Sequence, residues 1–206
     1  MNGSQHVKSG TPWWAPQRKR MIMAAGSLMV LAAGAFALVY ATGESSHEAM
    51  VKRGQYLVTI AVCNDCHTPL KNGPNGPEPD MSRMLSGHPS SEKVQPPPPA
   101  SDFWTFTGSR TLTAWTGPWG VSFTKNLTPD TLTGIGVWTE DMFIAAIRTG
   151  RHWGVSRPIM PPMPWMYYRN FTDEDLKSIF AYLQTIPPVY NEVPDYIPPT
   201  EVANIN

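Results

Sequence analysis

Residues 63–67 read Cys63-Asn64-Asp65-Cys66-His67, and these are the only two cysteines of the chain. A C-x-x-C-H pentapeptide lets two thioethers reach the two vinyl positions on one edge of a porphyrin. The next residue then offers an imidazole to the iron from the same side, so the motif reads as a c-type haem attachment. Two rival uses of paired cysteines fit poorly. A structural zinc site needs about four ligands, and no second pair exists. A thioredoxin-like dithiol expects a βαβ setting, which is missing here. The sequence thus predicts one covalently bound haem c, carried by Cys63 and Cys66, with His67 as an iron ligand.

A second axial ligand is sought downstream. Ile159-Met160-Pro161-Pro162-Met163-Pro164-Trp165 offers two thioethers in a loop that its prolines stiffen, and the bare pattern leaves Met160 and Met163 about equal. Either methionine gives a His/Met site of raised potential. His88 and His152 are competitors that would give a bis-imidazole site.

Upstream, Arg18-Lys19-Arg20 precede an uncharged run from Met21 to Tyr40. As a helix that run spans about 30 Å, the hydrocarbon thickness of a bilayer. Basic residues before it place the N-terminus in the cytoplasm and the remainder on the outer, periplasmic face of the cytoplasmic membrane. The domain order expected is a cytoplasmic segment 1–20, a single transmembrane anchor 21–41 and a tether 42–48. A haem domain 49–190 with an insertion 68–125 and a Pro-rich tail 191–206 follow. A cleaved signal peptide is the alternative for the apolar run. The 206 residues are 41% hydrophobic and 16% charged with zero formal net charge. That composition suits a folded protein and carries no nucleic-acid footprint.

Within the haem domain, Met50, Leu57, Val58, Ala61 and Val62 predict a helix leading into the pentapeptide, with Gly54 marking a close helix–helix contact. Thr139 caps a helix over Glu140–Thr149 that Gly150 closes, and Thr172 caps a last helix with Asp173, Glu174 and Asp175 in its first turn. Residues 68–102 hold many of the chain's 22 prolines and predict irregular chain. The stretches 111–115 and 121–124 predict a β-hairpin.

Taken in order, these motifs resemble class I cytochrome c domains. Arg53-Gly54-Gln55-Tyr56-Leu57 precedes Cys63-Asn64-Asp65-Cys66-His67-Thr68-Pro69. Asn126-Leu127-Thr128-Pro129-Asp130, Thr133-Gly134-Ile135-Gly136-Val137-Trp138, Arg148-Thr149-Gly150 and Pro162-Met163-Pro164-Trp165 follow. The wording is most similar to haem domains in cytochrome subunits of membrane-bound dehydrogenases, over about residues 50–190. The resemblance implies an all-α class I cytochrome c fold, here with a Pro-rich and β-hairpin insertion plus the N-terminal transmembrane helix. It favours Met163 over Met160 as ligand and implies that Trp138 and Arg148 lie near the haem propionates.

Functionally, two axial ligands leave no open iron position, and no nucleophile–base pair or phosphate loop is evident. The leading expectation is a non-enzymatic, membrane-tethered electron carrier. It would be reduced by a quinol-oxidising complex or soluble carrier. It would donate to a membrane redox complex such as a photosynthetic reaction centre, terminal oxidase or quinol:acceptor complex. The alternatives are the electron-accepting cytochrome subunit of a periplasmic dehydrogenase and, were no methionine to bind, an open-coordination haem sensor.

Overall fold

The computed structural model describes residues 46–98 and 103–205. The segments 1–20 and 21–41 therefore lie outside the described residues. Helix α1 covers residues 46–60, taking in the last residues of the expected tether. The helical frame is completed by α2 (Cys63–His67), α3 (Glu140–Thr149), α4 (Trp165–Tyr168) and α5 (Asp173–Leu183). Its caps are those the sequence predicts. Thr139 Oγ1 accepts from Met142 N at 3.2 Å and Thr172 Oγ1 from Asp175 N at 3.1 Å. Such caps contribute about 1 kcal/mol each. Gly150 closes α3 at φ 66°, a left-handed conformation in which glycine carries no penalty.

Leu57 and Val58 of α1, Phe143 and Ile147 of α3, and Leu176, Ile179 and Leu183 of α5 merge into one buried cluster with Leu85 and Ile135. The close approach of α1 to α5 is set at Gly54. A Cβ there would stand 1.8 Å from the Ser178 carbonyl oxygen and 2.8 Å from Tyr182 Cβ. Arg53 Nε donates to Asp175 Oδ1 at 3.0 Å beside the crossing.

The expectation of an all-α fold is overturned by two antiparallel sheets within the insertion. Strands β1 (Leu70–Gly73) and β2 (Gly76–Pro79) form a hairpin where the sequence predicts irregular chain. Strands β3 (Thr107–Gly108), β4 (Ala114–Gly117) and β5 (Gly120–Phe123) form a second sheet in that order, with Ala114 opposite Phe123 and Gly117 opposite Gly120. The expected hairpin is present here, its turn tightened to Pro118-Trp119. In the second sheet Thr, Val and aromatic residues beside a glycine-flanked turn satisfy their backbone by pairing, and in the first the tight turn from Gly73 to Gly76 brings Leu70 opposite Pro79. Among the described residues no helix is long and apolar enough to cross a membrane.

All four residues of β5 are buried, because the C-terminal tail covers its free edge. Val121 N donates to Ile197 O at 2.8 Å, and Ile197 N returns a bond to Val121 O at 2.9 Å. Asn191, fully buried, stitches the same tail to the insertion. Its Nδ2 donates to Ser86 O and His88 O at 2.7 and 2.9 Å, and its Oδ1 accepts from Ser90 N at 2.9 Å.

Gly54→Ala forces a methyl group into the α1–α5 crossing and is expected to cost about 3 kcal/mol, read as a lower urea midpoint at unchanged slope. His88 lies buried in the insertion, and burial, opposed by Glu92 and reinforced by Arg83, pushes it down from 6.5 to about 4. Between those values the unfolded chain holds a proton that the folded chain refuses, so stability rises with pH across the window. His152, pushed down by burial, Arg157 and Lys125, acts in the same sense. Urea unfolding of His88→Gln across that window is expected to show a flatter dependence, by at most about 1.4 kcal/mol per pH unit; an unchanged slope refutes the assignment.

Candidate haem-binding site

Helix α1 ends where Val62 takes a left-handed conformation, φ 52°. The pentapeptide then forms a single helical turn, α2, closed by Thr68 N donating to Asn64 O at 2.9 Å. Residues three apart share a face of such a turn, so Cys63 and Cys66, both free thiols, stand side by side. Thr68 locks the turn: its hydroxyl donates to Asn64 Oδ1 at 3.0 Å and accepts from Leu85 N at 2.9 Å.

His67 is buried, and its Nδ1 lies 2.7 Å from the Lys125 carbonyl oxygen. A carbonyl only accepts, so Nδ1 carries the proton, and the neutral ring keeps its Nε2 lone pair for a metal. Burial pushes this imidazole below its ordinary pKa, against the pull of the Lys125 carbonyl, which favours the neutral, ligating form. The fit to haem c is therefore good on three counts: two adjacent thiols, a ligating tautomer, and an apolar bed. Cys63, Met84, Leu127, Trp138, Met163 and Tyr168 all pack against the core cluster. Burial pushes the Cys63 thiol up to about 11, and burial then Asp65 raise Cys66. Among the described residues, no group of three His, Cys, Asp or Glu side chains is arranged to hold a metal ion.

The methionine loop is tied at several points. Ile159 N donates to Gly150 O at 2.8 Å and Met163 N to Met160 O at 3.3 Å. Ser122 on β5 donates its hydroxyl to Pro161 O at 2.5 Å. Beyond the loop, Tyr168 on α4 donates to Ala61 O at 2.5 Å, at the end of α1. Its phenol, pushed up to about 12 chiefly by burial, stays protonated to do so. Met163 packs on the core that also receives Cys63, whereas Met160, half-buried, is not among the described side chains packed there.

The remaining candidates are distributed as follows. Trp138 is half-buried on the core and meets the His152 ring edge-on, centroids 5.1 Å apart. Arg148 is engaged elsewhere: Nη2 bonds Asp173 Oδ1 at 2.5 Å and Nη1 donates to Arg169 O. His88 bonds Thr113 Oγ1 within the insertion, and His152 lies between Trp138 and Trp153. Sequence reasoning missed Lys125, Ser122 and Tyr168. Lys125 acts through its main chain and leaves no side-chain signal; Ser122 and Tyr168 act through tertiary partners far away in sequence.

No family model matches the chain. It is 31% identical over 144 residues to the fructose dehydrogenase cytochrome subunit of Gluconobacter japonicus, covering 70% of this chain and 23% of that protein. It is 28% identical over 159 residues to the gluconate 2-dehydrogenase cytochrome c subunit of Pantoea cypripedii, covering 76% and 27%. It is 26% identical over 178 residues to the alcohol dehydrogenase (quinone) cytochrome c subunit of Gluconobacter oxydans (strain 621H), covering 84% and 29%. The chain thus spans about a quarter of the length of these relatives.

The ligand loop yields a direct test. In the haem-loaded ferric protein, Met163→Ala is expected to abolish the red-region charge-transfer band of His/Met haem, and Met160→Ala to retain it. Persistence of the band in Met163→Ala removes Met163 as ligand.

Proposed function

We propose that this chain, which carries a cytochrome c haem domain similar to those of dehydrogenase cytochrome c subunits, is the electron-accepting cytochrome of a dehydrogenase. The observation that carries the reading is the α2 turn, with its paired thiols and an imidazole held in the ligating tautomer by Lys125 O. Relatives named as cytochrome subunits of fructose, gluconate and alcohol dehydrogenases favour a dehydrogenase as electron donor over a quinol-oxidising complex.

The roles of the residues follow from their chemistry. Cys63 and Cys66 hold one haem c through thioethers. Haem c, when bound, supplies a one-electron couple at iron. His67, oriented by Lys125 O, would hold the iron, and Met163, carried on a loop that Ser122 braces, would be its second ligand. With His67 and Met163 both holding the iron, this chain would offer no position for substrate there and would act as an electron-transfer subunit. Trp138 excludes water beside its half-buried ring. Arg148, paired with Asp173, is given a structural role in joining the α3 end to the start of α5 rather than one at the propionates. Onward transfer is to a membrane redox complex. The order of charges in the first 40 residues supports a haem domain on the outer face of the cytoplasmic membrane.

Affinity purification from a native extract in mild detergent tests this, with every co-migrating chain identified by mass. A dehydrogenase catalytic chain in defined ratio is expected, together with reduction of the haem on adding that enzyme's substrate. Migration with a quinol-oxidising complex or terminal oxidase alone would overturn the dehydrogenase assignment.

A further inference from the structure

Lys125, His152 and Arg157 line one recess of about 290 Å³, together with Thr133, Tyr190 and Glu192. Its lining is drawn from the two segments that support the axial ligands. Lys125 holds His67 through its main-chain carbonyl. His152 and Arg157 belong to the loop that runs into the methionines. That loop is folded back on itself by His152 N donating to Arg157 O at 2.9 Å and by the bridge of Arg151 to Pro158. The His152 ring also meets Trp138, which packs on the core that receives Cys63 and Met163. Neither cysteine lines the recess.

The charges gathered here are poorly matched. Lys125 Nζ donates to Pro194 O at 2.8 Å and stands 3.8 Å from Asp195, a carboxylate whose side chain is 98% exposed. A pair with so exposed a partner contributes little. Among the described residues the Arg157 side chain has no hydrogen bond and no ion pair. Burial first and Arg157 next hold the Lys125 ammonium below its usual range, and after burial both Arg157 and Lys125 weigh on His152. The three basic groups therefore act on one another. Glu192 is the one acid on the lining, so with His152 neutral the recess keeps a net positive charge. Cations that share a recess and repel each other favour an anion between them.

Haem c brings carboxylates of its own, its two propionates, on the part of the ring away from the vinyl positions that the cysteines take. The family resemblance expects Arg148 beside them, but Arg148 is engaged by Asp173 and Arg169 O. We infer that the recess of Lys125, His152 and Arg157 receives a haem propionate, with Arg157 as the cation that pairs with it and Lys125 and His152 as positioning residues. This rests on the reading of Cys63-Asn64-Asp65-Cys66-His67 as a haem site and is independent of the dehydrogenase reading. The consequence is electrostatic. A propionate deprived of its cation favours ferric haem, the more positive form, so Arg157 raises the potential of the couple.

Equilibrium redox titration of the haem-loaded full chain tests the inference, with the propionate bending bands of the resonance Raman spectrum as a second readout. Arg157→Gln is expected to lower the ferrous-to-ferric ratio at fixed potential about 5-fold and to shift the bending bands. Arg157→Lys is expected to restore most of the ratio. Arg157 is exposed and bonds only through its main chain, so its replacement leaves the packing intact. Arg151→Gln removes the same charge from the same loop, where Arg151 Nη1 donates to Ser156 O, and is expected to change the ratio less than about 2-fold. Equal effects of Arg157→Gln and Arg151→Gln would reduce the result to diffuse surface charge. Unmoved bending bands would deny the contact. A saturable shift of the parent's midpoint on adding inorganic phosphate at constant ionic strength would give the recess to a free anion. Each of these overturns the proposal. A chain whose pyridine haemochrome spectrum shows no covalent haem fails the haem reading first, and the proposal with it.

Discussion

The hydrogen bond from His67 Nδ1 to the Lys125 carbonyl, 2.7 Å long, is the constraint on which the rest of the site depends. It selects the tautomer, fixes the plane of the ring and leaves one nitrogen for iron. A carbonyl can do this only if its own strand is immobile, and here that strand is held from several sides. Lys125 lies two residues past the end of β5. Its Nζ donates to Pro194 O at 2.8 Å, drawing in the tail, while Thr124 N donates to Thr113 O at 2.9 Å. The main chain of His67 is gripped as well, since Gly87 N donates to His67 O at 2.8 Å. Gly87 adopts φ 78°, and a Cβ on it would stand 2.4 Å from Thr124 O, so the close passage needs glycine.

Seen from this bond, the insertion braces the pentapeptide and the methionine loop rather than standing apart from the helical frame. Ser122 and Lys125, at the end of one short strand and just beyond it, reach the methionine loop and the histidine respectively. Burial and fixed hydrogen bonds around axial ligands are the levers by which a protein sets a haem potential. A single short stretch of chain that bonds both the histidine and the methionine loop couples their positions: displacement of β5 shifts the two together. The tail matters for the same reason. By pairing Ile197 with Val121 it converts an open edge into a covered one, so the strand carrying Ser122 has little freedom to fray.

The parts legible in the sequence are those whose signal is local. The pentapeptide, the Thr139 and Thr172 caps and Gly150 each announce themselves within one turn of chain. Gly54 was legible because a glycine in an otherwise good helix asks for a close neighbour, and Ser178 is that neighbour. The illegible parts have their cause elsewhere in the chain. Hairpin β1–β2 contains Pro77 and Pro79 and little that favours strands. It is stitched to the rest through Leu70 N on Thr111 O and Asp80 N on Pro69 O. Lys125 contributes a carbonyl that any residue would supply, and Asn191 sits in a tail with no periodicity to mark it. The all-α expectation came from a family resemblance that describes the helical frame and says nothing of what is inserted in it.

Buried polar groups show how the insertion reaches a single arrangement without a large apolar core of its own. Asn191 satisfies both ends of its amide, Thr128 and Asn126 bond each other and the Val189 carbonyl, and Thr111 and Thr113 form a hydroxyl chain ending on His88. A network of this kind contributes little net stability per bond, yet a misregistered strand would strand several donors at about 1–3 kcal/mol each. Specificity of register therefore comes from the penalty on wrong pairings more than from the gain on right ones. That logic explains why short strands rich in glycine and proline can hold the Lys125 carbonyl in place against His67.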